Sequence, residues 1–239
     1  MATYVLVHGA WGGGWYWARV ATLLRAAGHE VFTPTLTGLG ERSHLLRREV
    51  GLEVHMEDVL QVLAYERLQE VVLVGHSYGG MVISGVADRA AARIGTLVYL
   101  DAALPEDGQA MLDLLLPQRR ASLLESARTA GDGWLVPPIP AAQWGIDDTA
   151  DQAWFDSLCG PQPLKSLRDP IRLEGRHLEV PHKVYVLAAR YNPSSFQQFA
   201  ARTRADPAWT NEEVPTFHFA MLERPRETAT VLLRSARSG

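Results

Sequence analysis

Val71-Val72-Leu73-Val74-Gly75-His76-Ser77-Tyr78-Gly79-Gly80-Met81 is the stretch from which the rest of this chain can be read. Val71 to Val74 is a short, wholly apolar, β-branched run, which reads as a buried strand. From Ser77 to about Ala92 small and apolar residues dominate, which reads as a helix. Only Gly75-His76-Ser77-Tyr78-Gly79 joins the two. The pattern G-x-S-x-G is common by chance, and its position between a buried strand and a helix gives it meaning. So tight a turn needs glycine on both flanks, strains the serine, and projects its hydroxyl from the carboxyl edge of the sheet. The helix N-terminus adds a field that favours developing negative charge. Ser77 is therefore a candidate nucleophile. The plainer reading of the same residues is a helix start with Ser77 as its N-cap.

Outward from this turn, short apolar runs alternate with amphipathic ones. Tyr4–Val7, Glu30–Phe32, Thr96–Leu100, His182–Ala189 and Trp209–Val214 read as further strands. Trp15–Ala27, residues 53–68, Ser195–Ala205 and Glu223–Arg237 read as helices, and Thr35–Glu41 as a Gly-rich loop. Apolar strands separated by helices predict an α/β fold with a parallel sheet covered on both faces. Between Leu104 and Pro181 the alternation stops, and Pro137-Pro138-Ile139-Pro140 cannot continue a helix. We read this as a helical insertion over the sheet's carboxyl edge. The predicted organisation is a core of residues 1–103 and 182–239 with a helical cap of residues 104–181.

Composition narrows the function. The 239 residues are 47% hydrophobic and 21% charged, ordinary for a globular protein. The net charge is −4 and basic residues come only in pairs, such as Arg47-Arg48 and Arg119-Arg120. Nucleic-acid or membrane binding through a basic patch is not expected. A single cysteine, Cys159, leaves no internal disulfide framework, and no histidine pair has metal-ligand spacing. No metal site is expected. The start of the chain has no signal-peptide pattern and no run is long enough to span a bilayer, so we expect a cytoplasmic protein.

A serine nucleophile needs a base. His218 is the best placed of eight histidines. It lies between the last strand and the last helix, at the same sheet edge as Ser77. His76 is expected to pack or bond locally, His8 to shape the first loop, and His29, His44 and His55 to be solvated or in loops. Acyl transfer also needs donors for an oxyanion. These are expected from the backbone N–H of Tyr78 and, in the loop His8-Gly9-Ala10-Trp11-Gly12-Gly13-Gly14, of Ala10, with Trp11 the alternative. The third member of a triad holds the imidazole and stabilises its cation. The loop Ala188–Ser195, where an acid is usual, offers only Asn192. Asp101, closing the preceding strand, is the alternative we favour. Trp11, Trp134 and Trp144, with Trp154 and Leu112, Leu114 and Leu115, suggest an apolar substrate pocket. A dinucleotide site is disfavoured, because the first loop lacks G-x-G-x-x-G spacing and the second strand ends without a carboxylate.

In this order these residues resemble the α/β-hydrolase superfamily. They are most similar to the small esterases that include plant methyl esterases and hydroxynitrile lyases, and to bacterial pyrethroid-hydrolase-type esterases. Val7-His8-Gly9-Ala10-Trp11, Thr35–Ser43, Gly75–Gly80, Leu100-Asp101-Ala102 with Pro105–Gly108, and His218-Phe219-Ala220-Met221 carry the likeness. The resemblance implies an α/β-hydrolase fold: a mostly parallel six-stranded sheet, helices on both faces and a helical cap. It implies a serine hydrolase acting without cofactor on a carboxylic ester or lactone of a small, fairly apolar molecule, and it leaves a homodimer open. The sequence departs from the family at Asn192, where an Asp is common, and around Phe217-His218-Phe219. Those departures keep a second reading in view: a lyase, a cyclase or a ligand-binding protein on the same fold. The lyases carry a Lys where this chain has Phe219, which disfavours hydroxynitrile cleavage.

Overall fold

In the computed structural model, which describes residues 1–192 and 194–236, the predicted strands pair into one sheet. Its strands are β1 (Thr3–Val7), β2 (Glu30–Phe32), β3 (Val71–His76), β4 (Ile94–Leu100), β7 (His182–Ala188) and β8 (Trp209–Val214). The order is β2-β1-β3-β4-β7-β8 and every pairing is parallel. β3 is buried along its whole length, as expected of a central strand covered on both faces. The helices α1 (Ala18–Ala26), α2 (Leu52–Tyr65), α3 (Gly79–Ala90), α7 (Gln197–Arg204), α8 (Ala220–Glu223) and α9 (Pro225–Ser235) belong to this core.

Parallel register brings the strand ends into line. Val7 lies opposite Gly75, Gly75 opposite Tyr99, His76 opposite Leu100, and Leu100 opposite Val186. The loop after β1, the turn at Ser77 and Asp101 are therefore neighbours along one edge. β2 and β3 leave β1 on opposite sides, so this edge is also where the winding of the sheet reverses, the usual place for a ligand.

The segment between β4 and β7 is mainly helical, with α4 (Pro117–Ala130), α5 (Thr149–Leu158) and α6 (Leu164–Arg168). It also contains a two-stranded antiparallel sheet, β5 (Leu135–Val136) with β6 (Gln162–Pro163), which the helical reading did not anticipate. Two-residue strands leave almost no periodic signal. Other differences are local. The helix after the serine turn starts at Gly79, because Ser77 is left-handed at φ 54°. The last helical run is split at Arg224, ahead of Pro225, and Arg237, its expected end, lies outside the described residues.

Candidate active site

The serine turn exists because two glycines let backbone meet backbone. A Cβ on Gly75 would sit 2.6 Å from the Gly79 carbonyl oxygen, and one on Gly79 would sit 2.8 Å from that of Val7. Real side chains do not tolerate such distances, so β3, its turn and the end of β1 close up only with glycine there. Ser77 then takes the left-handed conformation, which costs a non-glycine residue on the order of 1 kcal/mol or more. Its carbonyl accepts from the N–H groups of Gly80 and Ala103, both at 3.1 Å, which fixes the bend.

His218, 1% exposed, comes from the segment after β8. Asp101 Oδ2 lies 2.6 Å from its Nδ1. β7 runs between the strands that supply them, and Asp101 spans it. Asp101 is left-handed (φ 42°), its N–H donates to Val186 O at 2.7 Å, and its Oδ1 accepts from Ala188 N–H at 3.3 Å. Asn192, the competing third member, is exposed. A carboxylate from the end of β4 thus stands where one from the loop after β7 was missing. With Nδ1–H directed at Asp101, the lone pair of His218 is on Nε2. His218 and Ser77 line the same pocket.

Burial favours the uncharged form of both partners. It pulls the His218 imidazole down to about 3, helped by the nearby positive charge of Arg119. It pushes the Asp101 carboxyl well above its usual range, against the Ala188 N–H. At rest the imidazole is a neutral acceptor. Its ring lies among aromatic faces: Phe196 stacked at 5.2 Å, Trp144 at 5.1 Å and Tyr191 at 5.1 Å.

The loop after β1 carries one of the candidate donors and the serine turn the other. Among the described residues, neither the Ala10 nor the Tyr78 N–H meets a protein acceptor. The Trp11 N–H, the alternative donor, is taken: it donates to Gln162 Oε1 at 3.0 Å. Trp11 is itself left-handed (φ 66°), and three bonds from the segment between β4 and β7 hold it. Besides Gln162, two other residues of that segment bond Trp11: Val136 O accepts from its indole N–H at 3.0 Å, and its carbonyl accepts from Gly160 N–H at 2.9 Å. Gln162 is fully buried and also donates to Ser166 Oγ at 2.6 Å. Nothing in the sequence around Gln162 marks it for this duty; the contact spans 151 positions.

Three histidines buttress the site. His8 Nδ1–H donates to Gly9 O and its Nε2 accepts from Leu36 N–H, which joins the two loops flanking the pocket floor. His55, expected to be solvated or in a loop, is fully buried on α2. Its Nε2–H donates to Thr37 O, so its Nδ1 accepts from the Tyr78 hydroxyl at 2.8 Å, holding the residue whose backbone is a candidate donor. A histidine among the helical positions 52–65 could have been found had its turn of the helix been assigned to the apolar face. His76 Nε2–H donates to the His218 carbonyl at 3.0 Å, a partner 142 positions away rather than the local one expected.

The pocket is mainly apolar, walled by Trp11, Met111, Leu115, Leu123, Trp144 and Phe196. Trp134 is not among its lining residues. It is half-buried beneath the Arg48 guanidinium at 4.9 Å. Trp154 likewise packs elsewhere, against Trp15. Tyr191 and Arg119 line the pocket and had not been singled out for it. Tyr191 belongs to the same loop as Asn192. Phe219 is buried against Tyr16, Phe155 and Trp144 and leaves no cation beside His218 at that position. Among the described residues, no three His, Cys, Asp or Glu side chains gather as a metal site.

A sequence model of the alpha/beta hydrolase family matches residues 4–231. A carbendazim hydrolyzing esterase of Nocardioides sp. (strain SG-4G) is 43% identical over 97% of this chain and 98% of its own length. Salicylic acid-binding protein 2 of Nicotiana tabacum is 34% identical over 74% of this chain and 68% of its own. An extracellular alpha/beta-hydrolase from a Paenibacillus species superposes with a TM-score of 0.88, covering 99% of this chain and 100% of that one at 23% identity.

Proposed function

The chain belongs to the alpha/beta hydrolase family and is an esterase-type enzyme, and from that premise we propose that it cleaves a carboxylic ester or lactone of a small, fairly apolar molecule through an acyl-enzyme on Ser77. Ser77 Oγ attacks the carbonyl carbon while His218 Nε2 takes its proton. The carbonyl oxygen becomes an oxyanion and accepts from the N–H groups of Ala10 and Tyr78. Collapse of the tetrahedral species breaks the bond to the leaving oxygen, which receives the proton from His218. Water then attacks the acyl carbon, His218 again removes the proton, and Ser77 departs with it. Asp101 keeps the imidazole in the working tautomer and stabilises its cation in both steps.

One observation carries this reading: a buried carboxylate 2.6 Å from Nδ1 of a histidine that shares a pocket with a left-handed serine. The lack of an acid in the loop after β7 is one of the two departures behind the non-hydrolytic alternative, and the contact of Asp101 with His218 supports the hydrolytic reading at that point. The aromatic walls and the 43% identity to a carbendazim hydrolyzing esterase favour a flat ester or carbamate-like substrate. Treatment with a fluorophosphonate, followed by peptide mass mapping, should find the adduct on Ser77, and aryl acetate turnover should vanish in Ser77→Ala. Labelling elsewhere, or turnover that survives in Ser77→Ala, would refute the proposal.

A further inference from the structure

Among the described residues lining the pocket beside His218, Arg119 is the one charged side chain. It is half-buried, and no described carboxylate pairs with it, whereas its neighbour Arg120 meets Asp113 at 3.2 Å. Its contacts are weaker ones: the Trp144 ring 4.7 Å away and the Tyr191 hydroxyl at 3.4 Å. Two further facts argue against a stabilising role. It sits in the first turn of α4, behind Pro117, where the helix end is already positive and a cation is disfavoured. Its charge also lowers the proton affinity of His218, so with the pocket empty it opposes the imidazolium that ester cleavage requires.

A cation that is unpaired, set at the unfavourable end of a helix and adverse to the base makes chemical sense if a bound molecule supplies the opposite charge. We infer that Arg119 receives an anionic group of the substrate, a carboxylate or comparable anion carried on the apolar body of the ester away from the scissile carbonyl. This rests on the esterase reading of the site and narrows its substrate class. Trp144, packed under the guanidinium and against His218, holds the head group's plane, and the planar fork suits a carboxylate. When the anion binds, the field at His218 is neutralised as the imidazolium forms, so the preference appears in turnover as well as in binding.

The test compares 4-(carboxymethyl)phenyl acetate with 4-tolyl acetate at low ionic strength; the methylene insulates the ester, so the two differ in charge rather than in intrinsic reactivity. In the wild type kcat/KM should favour the anionic ester by about tenfold, the scale of one charge-assisted pair. Arg119→Gln should bring the ratio to about one, and Arg119→Lys, which keeps the charge but not the planar fork, should keep only part of it. A turnover-free arm measures the Kd of both esters for Ser77→Ala with and without Arg119→Gln, and the same ratio should fall. If the ratios do not differ between Arg and Gln, Arg119 is only a wall of the pocket and the inference is overturned. If binding shows the Arg119-dependent ratio while the wild type hydrolyses neither ester, the anion subsite stands and the esterase reading fails.

Discussion

Asp101, at the end of β4, reaches over β7 to lie 2.6 Å from Nδ1 of His218, which follows β8. The span works because Asp101 is left-handed and Ala188, at the end of the intervening strand, donates its N–H to the second carboxylate oxygen. Asp101→Asn preserves size but offers an amide whose N–H groups favour the wrong imidazole tautomer. We expect kcat on an aryl acetate to fall by about 10³- to 10⁴-fold, with KM little changed. The rate of Ser77 phosphonylation, followed by mass, should fall in parallel. A loss under tenfold would mean another group holds His218.

Gln162 ties the cap to the candidate oxyanion loop through the Trp11 N–H. Gln162→Leu leaves that buried donor without an acceptor, at a cost of about 1–3 kcal/mol in stability. Because the same bond fixes the left-handed Trp11 next to Ala10, kcat should drop more than KM rises. Urea unfolding and steady-state kinetics on the purified variant separate the two effects. A variant that is less stable but has unchanged kcat would restrict Gln162 to packing.

Two tryptophans expected in the pocket separate cleanly. Trp144 lines it and packs on His218, whereas Trp134 does not line it and lies under Arg48. Trp144→Ala should lower kcat/KM for aromatic esters by about tenfold or more, the scale of a lost aromatic contact and its burial. Trp134→Ala should leave it within about twofold, since it removes no pocket wall. Equal losses would contradict the lining described above.

Stability should fall steeply in mild acid. Burial holds both His8 and His55 down at about 4, against 6.5 when exposed. Below 6.5 the unfolded chain therefore binds protons that the folded chain refuses. The contribution is fully present above pH 6.5 and is lost as pH falls towards 4, about 3 kcal/mol for each histidine. Urea midpoints at pH 7.5, 6 and 5 should drop progressively, and His55→Gln should flatten the dependence by about one proton. A stability that is constant from pH 7.5 to 5 would show that these imidazoles take up protons as readily in the fold as in the unfolded chain.

The acid limb of kcat/KM reports the base of the free enzyme. Burial and Arg119 both lower the proton affinity of His218, so the neutral base should survive below pH 6.5 and activity should fade only on further acidification. Removing the positive charge in Arg119→Gln should move this limb to higher pH. A limb that stays in place, or moves lower, would show that the Arg119 charge does not reach His218.

The backbone plan was legible in local residue patterns. The apolar run Val71–Val74 defines a strand through local pattern, and the glycines around Ser77 allow only one kind of bend. The order of a serine after β3 and a histidine after β8 followed from the same periodicity. Tertiary structure decided which side chains meet across strands and across the cap boundary. That Asp101 rather than Asn192 faces His218 depends on a side chain crossing β7. That Gln162 occupies the Trp11 N–H depends on a contact 151 positions apart. The burial of His55 and the outward position of Trp134 depend on what packs over them. Local patterns encode backbone geometry because that geometry repeats every two or three to four residues. Partners in space obey no period, so they become visible only when the chain is folded.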